Sequence, residues 1–431
     1  MDGIEARQEY VDMPHVKKAE RVNAMKFWQQ SALLGDPVRL TKGYVEYSCK
    51  KDEVLPIGKY MRAIASLGAE GTISGAYLID SIKDCFKEEF RFGSGYAKFV
   101  VPEGDNLVKM YQDFIYSTAL VSFVYFSDDS IVNIRCADGH FMANVDISAC
   151  DGSNYDPVFN FLRETFDAGD DWDSMFRQLS SVCRISSYDR GTKHKVYLKP
   201  DGQVLYSGSP LTTIVNNMAN IGIFLSICNV ITENIRKEDC AGLIREAACK
   251  VGYDVKVIVC DHIEELQFLK CSPSVTGGTL TVFMNLGVLL RSFGMCKGDL
   301  PGTGDWVIRA NAFNSGTVRG FIGAGLNPVT EAFVNRWGVF ADTPDIVKQE
   351  LMWKGKSYGY TPAEGLARRY RLTEADVLEL AEVCRWIDLE EIYSSWVIDK
   401  IMEVDYGYDP AQRLVSVSPA IDTSFTPFLA S

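Results

Sequence analysis

Histidine is scarce, with four in 431 residues. That leaves little for a histidine-built zinc centre, and structural or incidental roles are expected for most of them. The twelve cysteines include no C-x-x-C pair, which favours reduced thiols in a cytosolic compartment. No run of about twenty apolar residues occurs, so no transmembrane segment is expected. The opening MDGIEARQEYVDMPHVKKAE lacks the apolar core of a signal peptide, and a protein that is not secreted is expected. Internal repeats and low-complexity linkers are also missing, which points to compact subdomains. Positive charge is in deficit: 44 Lys and Arg stand against 57 Asp and Glu, for a net charge of -13. Averaged over the surface, that balance argues against nucleic-acid binding but not against a local basic channel.

What is present suffices for a large core. Hydrophobic residues make up 47% of the chain, and a chain of this length builds two or three subdomains. Runs of β-branched and aromatic residues predict strands at 121–126, 131–135 and 141–147, the last two joined by the turn 136-CADGH-140. The segment 71–90 carries a helical pattern, and 194–208 reads as a hairpin on Pro200-Asp201-Gly202. Helices are expected over about 211–230 and 237–250, the latter stopping near Gly252. Short strands are expected at 254–259 and 266–270. Past Ser272 the chain reads as mostly helical, notably at 363–370 and 373–404.

The stretch 123-FVYFSDDSIVNI-134 sets Asp128 and Asp129 at the tip of a hairpin between two apolar strands. Adjacent carboxylates repel, and they stay ionised only beside positive charge. An isolated Asp-Asp turn is usually just solvated. Here a third acid, Asp146, ends the 141–147 strand, and antiparallel pairing returns it to the level of the tip. Three converging carboxylates suit two Mg²⁺ ions, with Mn²⁺ as a substitute.

Further features surround that set. In 206-YSGSPLTTIVNN-217 a pliant Ser207-Gly208 loop opens a helix on which Thr212 and Asn216 share one face. A hydroxyl and an amide there can meet a sugar, although both also serve as ordinary helix-start residues. The arm 50-KKDEVLPIGKYMRAI-64 holds Lys50, Lys51, Lys59 and Arg62, which suits a triphosphate. Cys260, His262 and Cys271 fit no common zinc spacing.

Together these residues resemble the motifs of viral RNA-dependent RNA polymerases. Asp146 with Asp151 is similar to motif A, Ser207-Gly208 with Thr212 and Asn216 to motif B, and Ser127-Asp128-Asp129 to motif C. The 50–64 arm resembles motif F, and Phe268-Leu269-Lys270 looks like motif E. Motif C precedes motif A, an order that resembles the permutotetraviruses and, less closely, the birnaviruses, which carry Asn where Asp129 stands.

The resemblance implies an α+β right-hand polymerase with a permuted, RRM-like antiparallel palm sheet and a mostly helical thumb. Fingers would take residues 1–115 and the insert 157–205, the palm 116–156 and 206–272, and the thumb 273–431. The roughly fifty residues before motif F are fewer than such enzymes carry, implying a compact variant or one piece of a longer replicase. It further implies catalysis and metal binding by Asp128, Asp129 and Asp146, with Lys256 or His262 as proton donor. Nucleotide binding would fall to Lys51, Lys59, Arg62, Asp151, Ser207, Gly208, Thr212 and Asn216, and RNA binding to Lys270. The implied partners are template and nascent RNA, ribonucleoside triphosphates and other viral replication proteins, in host cytoplasm, a virion or a replication complex. A reverse transcriptase is the competing enzyme, since Tyr125-Phe126-Ser127-Asp128-Asp129 contains an aromatic-x-Asp-Asp pattern, and a structural metal-binding protein is the non-enzymatic alternative.

Overall fold

The computed structural model describes residues 44–49, 53–56, 63–66, 75, 78–79, 82, 86, 89–101, 106–166, 170–189, 192–292, 305–310, 325–337, 359–387, 393–407 and 414–417. Its strands are β1 (Tyr44–Cys49), β2 (Glu53–Pro56), β3 (Ala63–Ser66), β4 (Glu89–Phe92), β5 (Gly95–Phe99), β6 (Val121–Phe126), β7 (Asp129–Cys136) and β8 (Gly139–Ile147). They continue with β9 (Val182–Asp189), β10 (Thr192–Leu198), β11 (Val255–Cys260), β12 (Cys271–Thr276), β13 (Thr279–Met284) and β14 (Leu414–Val417). The helices are α1 (Asn106–Ile115), α2 (Cys150–Ser153), α3 (Asp156–Thr165), α4 (Asp170–Leu179), α5 (Thr212–Val230) and α6 (Lys237–Lys250). After them come α7 (Leu286–Ser292), α8 (Pro328–Trp337), α9 (Ala363–Tyr370), α10 (Glu374–Trp386) and α11 (Trp396–Tyr406).

The fold is mixed α/β with mostly antiparallel pairing. A six-stranded sheet runs β11-β8-β7-β6-β5-β4, and a four-stranded sheet runs β10-β9-β1-β3. The larger sheet is apolar on both faces. Along β8, Phe141, Ala143, Val145 and Ile147 are buried while Met142, Asn144 and Asp146 take the opposite side, as a two-residue period requires. The first side joins Phe123, Tyr125, Val132 and Ile134 in one core with α5 and α6. On the other side, Val124, Ile131 and Cys260 share a second core with α1, β13, α9, α10 and α11.

Helix α5 is apolar nearly all round, which suits a helix enclosed by protein. By length and composition it matches a membrane span, yet it packs on β6 and α6 as a core helix. Three of its polar residues, Asn216, Asn217 and Asn220, are buried near its N-terminal end. The C-terminal helices are tied together by an enclosed ion pair. Arg369 donates to Asp405 at 2.7 Å, and Asp405 also accepts from the Tyr370 hydroxyl at 2.9 Å and the Gly287 N–H at 2.7 Å.

Several sequence expectations are corrected. The turn joining β7 and β8 has two residues, not five, because Cys136 pairs with Gly139; the Asp138 carboxylate accepts the Lys237 N–H at 3.0 Å and fixes it on the start of α6. No hairpin forms on Pro200-Asp201-Gly202, since β10 pairs with β9 instead. The segment beyond that turn docks on helices: Gln203 N donates to Asp156 Oδ1 and Val204 N to Leu179 O. Residues 266–270 are not a strand. Phe268 bridges to Cys271 across Leu269 and Lys270, both left-handed, the backbone of a tight hairpin turn. The β12–β13 hairpin follows, spanning Cys271 to Met284, so the chain just past Ser272 is strand rather than helix. The 373–404 helix is two helices, the second capped by Ser395 accepting from Ile398 N. In 71–90, residues 75, 78, 79 and 82 are helical, but 89–92 already forms β4.

Candidate active site

The acidic tip is set by strand register. Phe126 pairs with Asp129 across the two-residue loop Ser127-Asp128. Asp129 pairs with Asp146 across β7–β8, and Asp146 pairs with Lys256 across β8–β11. Directly opposed residues of antiparallel strands share a face, so Asp129, Asp146 and Lys256 form a row at one end of the sheet. Burial, reinforced by Asp128 and Asp146 and opposed by Lys270, pushes the Asp129 carboxyl up to about 6. Burial and Asp128 likewise raise Asp146, against Lys270 and Lys256. Lys270 therefore acts on both acids from the 268–271 turn, and its ammonium lies 5.8 Å from the Tyr406 ring centroid.

The start of α5 abuts this tip. Asn216 Nδ2 donates to Asp151 Oδ1 at 3.0 Å and lies 3.4 Å from Ser127 Oγ. Its orientation is fixed from behind: Tyr253 OH donates to Asn154 Oδ1 at 2.9 Å, and Asn154 Nδ2 donates to Asn216 Oδ1 at 3.1 Å. A one-way relay thus presents the Asn216 amide hydrogens to the Asp151 carboxylate. Asp151 and Asn216, which the motif resemblance assigned to one nucleotide-binding set, are joined by a direct hydrogen bond.

The Ser207-Gly208 loop closes onto β3. Ala65 N donates to Ser207 O at 2.8 Å. Gly208 has φ +96, and a Cβ there would lie 2.9 Å from Ile64 Cγ2 and 3.0 Å from Ala65 O; both the conformation and the close approach call for glycine. The Thr212 hydroxyl lies 3.4 Å from Tyr206 O, so it turns back on its own loop.

Not every expected residue joins this centre. Lys51, Lys59 and Arg62 lie outside the described residues. His262 follows the far end of β11, six positions beyond Lys256, or about 20 Å along the strand direction; its neighbours there are Asp261, Arg368 and Arg371. Among the described residues no three His, Cys, Asp or Glu side chains are gathered as a metal cage. The three acids are coupled electrically without forming a closed site. Magnesium does not need one: it is held through one or two carboxylates with waters and substrate phosphates. The donors here are hard oxygens of the kind a divalent cation takes, and Asp129 is raised first by burial and then by its acidic neighbours.

Sequence reasoning missed Asn154, Asn217, Asn220 and Tyr253. Three asparagines within five residues of a largely apolar helix were the available signal, since a buried amide requires partners. Ser127 was also passed over as a conformational feature, although its φ is +56.

No protein-family model and no curated protein matches the sequence. Among solved structures, the chain is similar to the birnavirus VP1–VP3 complex, with TM-score 0.43, 11% identity, and coverage of 84% of this chain and 51% of that one. It is likewise similar to the RNA polymerase VP1 from Infectious Pancreatic Necrosis Virus, with TM-score 0.41 and the same identity and coverages. The chain spans about half the length of the structures it matches. A likeness this remote carries no argument about function, which rests on the geometry of the site.

Proposed function

We propose that the protein is an RNA-directed RNA polymerase of the viral type, with a palm in which the acidic turn precedes the Asp146 strand and the α5 helix. The observation that carries this reading is the register Asp129–Asp146–Lys256 beside the Asp151–Asn216 bond. A carboxylate row, a cation and an amide–carboxylate pair then meet within one sheet end, as nucleotidyl transfer requires. Asp128, Asp129 and Asp146 would hold Mg²⁺, which when bound activates the attacking hydroxyl and neutralises triphosphate charge.

The chain's own groups do the rest. Asp151 and Asn216 receive the ribose, and a deoxynucleotide leaves their polar atoms unpaired, which penalises its entry. Lys256, the strand partner of Asp146, would give a proton to the departing pyrophosphate. Lys270 offers its ammonium to the nucleic-acid backbone near the acids. Lys51, Lys59 and Arg62 are proposed to meet the triphosphate. Template RNA, ribonucleotides and other replication proteins are the proposed partners.

The test is extension of a primed RNA template with Mg²⁺ or Mn²⁺. Ribonucleotides should be incorporated, and Asp128→Ala or Asp146→Ala should abolish turnover in folded protein. A clear preference for deoxynucleotides, or retained turnover in either variant, would overturn the reading.

A further inference from the structure

The loop carrying the acids is strained, and one helix holds it. Ser127 and Asp128 form a two-residue connection between β6 and β7. Ser127 has φ +56, and Asp128 is not among the described residues with positive φ. A positive φ at the first loop position alone is the pattern of a II′ turn, where glycine is the usual occupant. An L-residue there is held only if its surroundings over-determine it.

Those surroundings are three asparagines of α5. Ser127 N donates to Asn217 Oδ1 at 2.7 Å, and Asn220 Nδ2 donates to Ser127 O at 2.6 Å. Asn216 Nδ2 faces the Ser127 hydroxyl at 3.4 Å. Both peptide groups flanking the strained residue are thereby fixed to one rigid helix. Asn217 and Asn220 are 1% and 0% exposed. Asn220 Oδ1 has no hydrogen-bond partner among the described residues. Leaving that atom buried and unpaired is unfavourable, so packing alone does not account for an amide at this position.

We infer that Asn217 and Asn220 are positioning residues for the acidic turn, fixing the Ser127 backbone so that Asp128 and Asp129 meet Asp146. The inference rests on the proposed role of those acids. Asn216 differs in task, since its amide also engages Asp151. One helix therefore supports both the acids and the Asp151 pair through separate side chains.

Glycine at 127 would need less holding, which gives a specific test. Asn217→Leu and Asn220→Leu are each made in the parent and in Ser127→Gly, and measured for extension kcat, nucleotide KM and thermal midpoint. In the parent, kcat should fall about tenfold or more while KM moves less than about threefold. In the Ser127→Gly background the same changes should lower kcat less than about threefold relative to that background. Asn220→Leu removes the unpaired oxygen but also the donor to Ser127 O, so it should lower the midpoint more in the parent than in Ser127→Gly. Asn217→Leu should lower the midpoint by at least twice as much in the parent as in Ser127→Gly. Equal losses in both backgrounds, or no loss of kcat in the parent, would refute the positioning role. If no chain extends RNA, the polymerase reading fails on its own, and the paired midpoints of Asn217→Leu still decide the clamp.

Discussion

Asp129→Asn should make the protein more stable and less active at once. The folded chain holds this carboxyl at about 6, first through burial and then through Asp128. A carboxyl near 4 in the unfolded chain and near 6 in the fold disfavours the ionised folded form by roughly 3 kcal/mol at neutral pH. Asp129 keeps some exposure, so roughly 2 kcal/mol is the figure to test. The sign follows from proton binding. Below about pH 4 the group is protonated in both states and contributes no difference from Asn. As pH rises through 6 the folded protein must ionise a group it holds poorly, and stability contributed by the protonated form is lost. With chelator present, the variant should therefore melt about 2–4 °C above the parent at pH 7.5. The gap should close towards pH 4, and extension activity should fall although the fold is stronger. Scanning calorimetry across pH 4–8 checks this. A variant that melts with or below the parent at pH 7.5, or keeps its advantage at pH 4, would refute the electrostatic account of the turn.

Other outcomes follow from the same geometry. Asn216→Ala removes the donor to Asp151 and the acceptor of Asn154; competition between ribo- and deoxynucleotides should show discrimination reduced by about tenfold or more, with a stability loss of about 1–3 kcal/mol in urea unfolding. Lys256→Gln should slow single-turnover extension by about tenfold to a hundredfold, whereas His262→Ala at the far end of β11 should change it less than about twofold. Asp405→Ala leaves Arg369 buried without its partner and should cost about 3–5 kcal/mol in urea unfolding; a loss below about 1 kcal/mol would mean that the pair is not enclosed.

The legible parts of the fold were those whose periodicity survives burial. The β6 strand and the helices α5, α6 and α9 fall within a residue of their expected bounds, because apolar runs ended by Gly252, or by the left-handed Arg371 after α9, leave little choice of boundary. Turn chemistry misled in two places. Pro200-Asp201-Gly202 is a good hairpin signal, but Asp156 and Leu179 claim the backbone beyond it. Leu269-Lys270 carries no turn signal at all, yet both residues are left-handed, since β12 must begin at Cys271, where its carbonyl accepts the buried Tyr111 hydroxyl. At the site, the acids were visible at strand spacing and Thr212 with Asn216 at helical spacing, whereas the association of Asp151 with Asn216 was implied only by the motif resemblance. The asparagine contacts to Ser127 were not, because they join residues about ninety positions apart.

The meeting of the acids does not depend on the order in which the strands are threaded. It depends on the β7–β8 register, and that register is set by the two-residue turn Ala137-Asp138 at the opposite end of the hairpin. A strand slipped by one residue turns every side chain to the other face. One residue inserted after Asp138 and taken up by the strand rather than by the turn would set Asp146 against the apolar core and bring Val145 or Ile147 to the level of Asp129. The hold of Asp138 on Lys237 N is thus more than a local cap: it anchors the measure by which the distant acids are aligned. The connection from β8 to α5 can wander through α3, α4 and the second sheet without disturbing that alignment. A hairpin with a pinned turn carries the geometry by itself, and it leaves the chain free to bring in the α5 asparagines from some seventy residues further on.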